Sequence, residues 1–192
     1  HALDIDSNDF NVNQIDISLD KALPDENTWA AGFHIDIGFG EDVKRFGENE
    51  PGLGGNGVSV IQAHVNFRVP VGTGLDFKIG KFCSPMLGFE VIPTPANINV
   101  SRSYWATLGA PLLHTGFLMS YRFTDWIDAR LGLVNGWNNG DSNFLDGFID
   151  GENGDDGPAD FAKAILAGIA LHAPGGNASL FNNFIYSTEG DR

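Results

Sequence analysis

The stretch TWAAGFHIDIGFG, residues 28–40, decides how the chain is read. Trp29, Ala31, Phe33, Ile35, Ile37 and Phe39 take every second position, and Ala30, Gly32, His34, Asp36 and Gly38 take the places between. A period of two means a β-strand with two unlike faces. One face is uniformly apolar; the other is small and polar. The run is long for a strand of a soluble sheet. At about 3.3 Å per residue it is ample for a tilted bilayer crossing, which takes about 9–11 residues.

The same alternation recurs on both sides. Ile15, Ile17 and Leu19 alternate with Gln14, Asp16 and Ser18 in a strand read from Asn11. In residues 58–71, Ile61, Ala63, Val65, Phe67 and Val69 face one way, and Gln62, His64, Asn66 and Arg68 the other. Leu75, Phe77 and Ile79 alternate with Asp76, Lys78 and Gly80. Thr115, Phe117, Met119, Tyr121 and Phe123 open another strand, and Ile127, Ala129, Leu131 and Leu133 the next. Residues 161–172 alternate weakly, and their Ala-rich run (AKAILAGIALHA) is locally compatible with helix. A last strand covers 178–188. We expect about nine or ten strands in antiparallel hairpins. Short turns at 21–27, 70–74, 124–125 and 173–177 would lie at one end, and long surface loops at 41–57 and 138–160 at the other. That asymmetry is typical of outer-membrane barrels.

Composition sets the outer limits. The 192 residues carry 25 acidic and 11 basic side chains, a formal charge of −14, which argues against nucleic acid as a partner. No run of 18 apolar residues marks a membrane-spanning helix, but a barrel hides its apolar residues at alternate positions. The one cysteine, Cys83, excludes a disulfide framework within the chain. The chain opens at His1 with no signal peptide, as a mature or truncated chain would. Two features favour the membrane over a soluble β-sandwich. The polar positions of neighbouring strands mix opposite charges (His34, Asp36, His64, Arg68, Asp76, Lys78, Arg122, Asp128, Arg130) with glycine, as a watery lumen would. Trp29, Phe39, Tyr121, Phe123, Trp126 and Trp137 fall near strand ends, where interfacial aromatics gather.

One stretch breaks the pattern. Residues 83–113 hold Pro85, Pro93, Pro95 and Pro111, and proline interrupts both sheet and helix. Long irregular connections in compact proteins are usually functional. At membrane depth such backbone is tolerated only when buried in protein or lining water. The segment is therefore the candidate constriction, folded inward. Glu90 and Arg102 would set a transverse field across it, with Arg68, Lys78, Arg122 and Arg130 as a basic wall. The alternative for Arg102 is anchoring, by hydrogen bonds to carbonyls or to Glu90. Asn97, Asn99, Ser101 and Ser103 are available to satisfy the backbone.

The runs LDFKIGKFCSPMLGFEVIPTPANINVSRSY, PLLHTGFLMSYRFTD and LGLVNGWNN, preceded by FNVNQIDISLDK and GFHIDIGFGED, resemble the OmpL-like β-barrel porins of Gram-negative bacteria. The likeness covers roughly residues 10–172 in order. It implies an all-β, antiparallel transmembrane barrel acting as a passive channel in the outer membrane. Members of the family are about twice this length, so the chain resembles an N-terminal half, part of a barrel of about sixteen strands. Cys83 stands where a small polar residue is expected.

The function expected is passive diffusion of small polar solutes or ions. The partners are outer-membrane lipid and lipopolysaccharide, and a second copy in a homo-oligomer such as a trimer. Two other readings stay open: a structural or adhesive barrel with an occluded lumen, and a soluble calcium-binding β-domain. For the last, the run DGFIDGENGDDG offers spaced oxygen ligands at Asp146, Asp150, Glu152, Asp155 and Asp156, without the EF-hand ending, so Ca2+ in the acidic loops is a cofactor to consider. A glycine cluster at 52–57 lacks the following helix that a phosphate loop needs. The five histidines lack metal-ligand spacing, and no hydrolase or metalloprotease motif occurs, so no enzyme is expected.

Overall fold

The computed structural model describes residues 10, 12–41, 43, 57–88, 90, 92, 97, 103–137 and 163–187. Period-two patterning produces one antiparallel sheet in strict chain order. Its strands are β1 (Ile15–Lys21), β2 (Ala30–Phe39), β3 (Val58–Val69), β4 (Leu75–Cys83), β5 (Leu113–Thr124), β6 (Ile127–Asn135), β7 (Lys163–His172) and β8 (Ser179–Ser187). The described residues thus hold eight strands where nine or ten were expected. The first ladder begins at Ile15, not Asn11, and no described residue between Ser84 and Leu112 joins the sheet. A 3-10 turn at Pro85–Leu87 and a short helix α1 at Tyr104–Leu108 occupy that segment instead. The sheet is open, with β1 and β8 as its edges. From β2 to β8 the strands are 9–12 residues long, which suits a tilted bilayer crossing.

Register turns alternation into continuous rows. Phe33, Val65, Ile79, Phe117, Leu133, Ile165 and Tyr186 lie side by side across seven strands. The next row on the same face is Ala31, Phe67, Phe77, Met119, Leu131, Ala167 and Phe184. Phe67 stacks on Phe77 at 4.8 Å, and Phe77 meets Phe117 at 5.5 Å. Among the described residues no second sheet covers these rows: Val65, Leu131, Ile165 and Phe184 are all exposed. The opposite face is the covered one. It carries the row His34, His64, Gly80, Gly116, Val134, Ala164 and Ser187, and the row Arg68, Asp76, Ser120, Arg130, Gly168 and Asn183. A soluble β-domain buries its apolar face and wets the polar one. Here the polarity is reversed, as lipid outside and water inside require.

Two local outcomes depend on tertiary context. The Ala-rich run of β7 is strand throughout. Ala164, Leu166, Gly168 and Ala170 are buried inward while Ile165, Ile169 and Leu171 are exposed, and ladders to β6 and β8 override the helix preference of alanine. Ile61 was expected on the apolar outer face, but a bulge corrects this. Asp36 pairs Gln62 and Ile37 pairs Val60, so Ile61 is the extra residue between them. Its side chain is fully buried, packed with Leu87, Ile92, Ala106 and Leu113 beneath the irregular segment. A second apolar cluster, Phe82, Leu118, Val134, Ala164 and Leu166, lies on the same covered face.

Candidate functional site

The covered face and the segment lying on it form the candidate site. Proline and local hydrogen bonds, not a ladder, shape the segment. At its base the Ser84 N–H donates to Leu112 O at 2.9 Å. The Ser84 hydroxyl accepts from the Met86 N–H at 3.2 Å and contacts the buried His114 Nε2 at 2.9 Å. Pro85 sits at the first position of the 3-10 turn, where its missing N–H costs nothing. The Pro85 carbonyl then accepts from Asn183 Nδ2 on β8 at 2.9 Å. From β4 to β8 is four strand spacings, about 19 Å along the sheet. A residue two positions past the end of β4 closes that span, so the sheet curls and the 3-10 turn bridges its concave side.

The returning limb is fixed by Glu90. Its buried carboxylate accepts the Ser103 N–H at 2.8 Å and the Ser103 hydroxyl. Ser103 in turn caps α1, its Oγ accepting from Ala106 N–H at 3.1 Å. The Trp105 indole N–H donates to Met86 O at 2.9 Å, joining the two limbs.

The wall beneath is laced with polar contacts. His34 Nδ1 lies 2.8 Å from Asp20 Oδ1 and its Nε2 lies 2.8 Å from Asp36 Oδ2. Gln62 donates to Asp36 at 2.7 Å and accepts the Cys83 N–H at 2.9 Å. This line runs from β1 to the point where the segment leaves β4. His64 stacks on His34 with ring centroids 5.3 Å apart. Acidic groups (Asp16, Asp20, Asp36) thus belong to β1 and β2, while Lys78 and Arg130 belong to β4 and β6.

A family model described as putative beta-barrel porin-2, OmpL-like, matches residues 2–191. The chain belongs to the OmpL-like porins. No curated protein and no solved structure matches it. The family is one of outer-membrane β-barrel porins and not of enzymes, and the inverted polarity of the sheet is what such a barrel needs.

In this OmpL-like porin the expected wall residues have distinct surroundings. Arg68 is committed: it grips Asp76 with two bonds of 2.6 and 2.7 Å and reaches Pro24 O at 2.7 Å, tying the β1–β2 turn to the wall. Lys78 lies over the Phe82 ring, 5.7 Å from its centroid. Arg130 is 3.9 Å from Asp128 and lies along Gly168, where a Cβ would stand 2.9 Å from Arg130 Cγ. Arg122 is exposed near the short turns, opposite Asp128 in register. The same end is held by His172 Nε2 against Asp128 at 2.6 Å. Glu90 meets Ser103; Arg102, Asn99 and Ser101 lie outside the described residues. So do Asp146, Asp150, Glu152, Asp155 and Asp156. Among the described residues no group of three or more His, Cys, Asp or Glu is placed to hold a metal ion. Sequence reasoning missed Asn183, Ser84 and Gln62. Gln62 left a signal in its place on the polar face of its strand, and Asn183 in an amide on the inward side of β8.

Proposed function

We propose that the protein is a passive channel for small polar solutes or ions across the outer membrane, narrowed by the segment 84–112. The observation that carries this reading is the Asn183–Pro85 hydrogen bond, which sets irregular backbone across the concave, polar side of a sheet whose outer face is apolar. Diffusion through a wide barrel is governed by its narrowest ring. Here that ring is made of the segment and the wall facing it. Around it Asp16, Asp20 and Asp36 lie on β1 and β2, and Lys78 and Arg130 on β4 and β6, where Asp76 is taken up by Arg68 and Asp128 lies beside Arg130. The acidic excess on β1 and β2 supports a transverse field set by the wall, with Glu90 acting as an anchor. Planar-bilayer recording of the folded protein tests the reading, and absence of any ion current would sink it.

A second reading, a barrel with an occluded lumen, is favoured by one observation. The two apolar clusters fill part of the covered face beneath the segment. Step-like single-channel currents separate the two readings, because a packed bore passes none.

A further inference from the structure

Among the described residues, His34 is the histidine with a carboxylate at each ring nitrogen. Nδ1 lies 2.8 Å from Asp20 Oδ1 on β1, and Nε2 lies 2.8 Å from Asp36 Oδ2 on its own strand. A neutral imidazole has one N–H and one lone pair, so it donates to one acceptor only. Both contacts are hydrogen bonds only when the ring carries two protons and a positive charge. The charged groups that face it come from four strands. From β1 come Asp20 and Asp16, which stands diagonal to Asp36 and accepts from Gln14 at 2.9 Å. From β2 comes Asp36, and from β3 His64, whose ring stacks on His34 with Gln62 beside it. From β4 comes Lys78, diagonal to His64 in register. A further proton on His64 would therefore face both His34 and Lys78.

Loss of the His34 proton has two effects. It removes the positive charge that sits among Asp16, Asp20 and Asp36. It also turns a lone pair towards one of the two carboxylates. Asp36 is buried and keeps Gln62, whose other end accepts the Cys83 N–H. The Asp20 side chain is 51% exposed on an edge strand, where water replaces the lost donor. The Asp20 contact is the one that opens.

We infer that His34 is a proton-operated determinant of ion preference on the inward wall. Charged, it offsets one of three carboxylates and clasps β1 to β2. Neutral, it leaves the acidic side with one more uncompensated charge. The effect on ions rests on the channel reading and the clasp does not, so the two are read separately. The clasp is read by NMR of the whole chain in detergent micelles, over about pH 5 to 9, around the range in which histidines titrate. The Asp20 and Asp36 carboxyl carbons should shift in step with the His34 ring nitrogens, and in Asp20→Asn only Asp36 should follow. Ion preference is read from reversal potentials in a salt gradient. As pH rises through the His34 step, wild-type cation-to-anion permeability should rise roughly threefold, the size expected of one unit charge acting across several ångströms of water. His34→Gln, which cannot carry the charge, should hold the high-pH preference throughout, while His172→Gln, at the short-turn end, should keep the step. Should His34→Gln not fold, the exposed Asp20→Asn decides. Carboxyl carbons that ignore the His34 titration, or a pH step in His34→Gln equal to wild type, would overturn the inference. Currents with a pH-independent preference would remove it and keep the channel. A coupled titration without any current would remove the channel reading, and the ion preference with it, and leave the clasp.

Discussion

Replacing Glu90 by alanine asks whether the inward segment is held by its own hydrogen bonds or by packing alone. The buried carboxylate receives the Ser103 N–H at 2.8 Å and the Ser103 hydroxyl. A hydrogen bond to a charged acceptor contributes about 1.5–3 kcal/mol, so the pair is bounded at roughly 3–6 kcal/mol. Ser103 itself is exposed, and water recovers part of the loss after truncation. The lower bound, about 3 kcal/mol, is therefore the figure for closing the segment. A change of that size moves the closed-to-open ratio roughly 150-fold. The ladders do not involve Glu90, so the variant should keep its β spectrum while the segment opens far more often. Two assays read this: single-channel recording, where mean conductance and open-channel noise should rise, and limited trypsin digestion, where cleavage after Arg102 should accelerate. Glu90→Gln keeps an oxygen for the Ser103 N–H and should be intermediate. Wild-type conductance and cleavage in Glu90→Ala would refute the anchoring role. A Glu90→Gln variant with altered ion selectivity and unchanged cleavage would return Glu90 to the role of a pore charge.

Removing two of the wall cations, Lys78→Gln with Arg130→Gln, should shift the reversal potential in a salt gradient towards cation preference, because the wall then carries a larger acidic excess. Leu131→Arg places a charge in an exposed apolar row and should cost about 2–4 kcal/mol if the position lies near the bilayer midplane, measured by urea unfolding from lipid vesicles. Gly116→Ala should cost about 1–3 kcal/mol in the same assay through overpacking. Its Cβ would stand 2.7 Å from Val134 Cα and press on Leu133 O, and backbone cannot give way as a side chain can.

The outward rows were legible because strand period and sheet register share one rule: every second residue faces the same side. Phe33, Val65 and Ile79 could be placed from their own neighbours. Ile61 could not, because its inward turn is set by an unequal pairing with β2 that leaves no trace in β3 alone. Residues 84–112 were legible as irregular, since proline removes the donors a ladder needs. Their anchors were not, because Glu90 meets a residue 13 positions on and Pro85 one 98 positions on, and no periodicity links such pairs. Arg68 is a different case. The turn at 70–74 fixes the hairpin register and places Asp76 opposite Arg68, so the sequence implies the ion pair that removes Arg68 from the free wall cations.

The bond from Asn183 to Pro85 also bears on how the protein is assembled. Every ladder of the sheet joins neighbours in sequence and can be laid down hairpin by hairpin. The latch cannot, because three whole strands, β5 to β7, lie between its two halves. Until β8 docks, the segment has its base at Ser84 and Leu112 and its internal ties, but no hold on the far wall. Closing so long a loop carries an entropy cost that the preceding hairpins reduce by bringing its ends together. The inward segment is therefore fastened to β8 only after the hairpins that precede β8, and a chain halted before β8 would keep the lipid-facing rows of β2 to β7 but lack this tie.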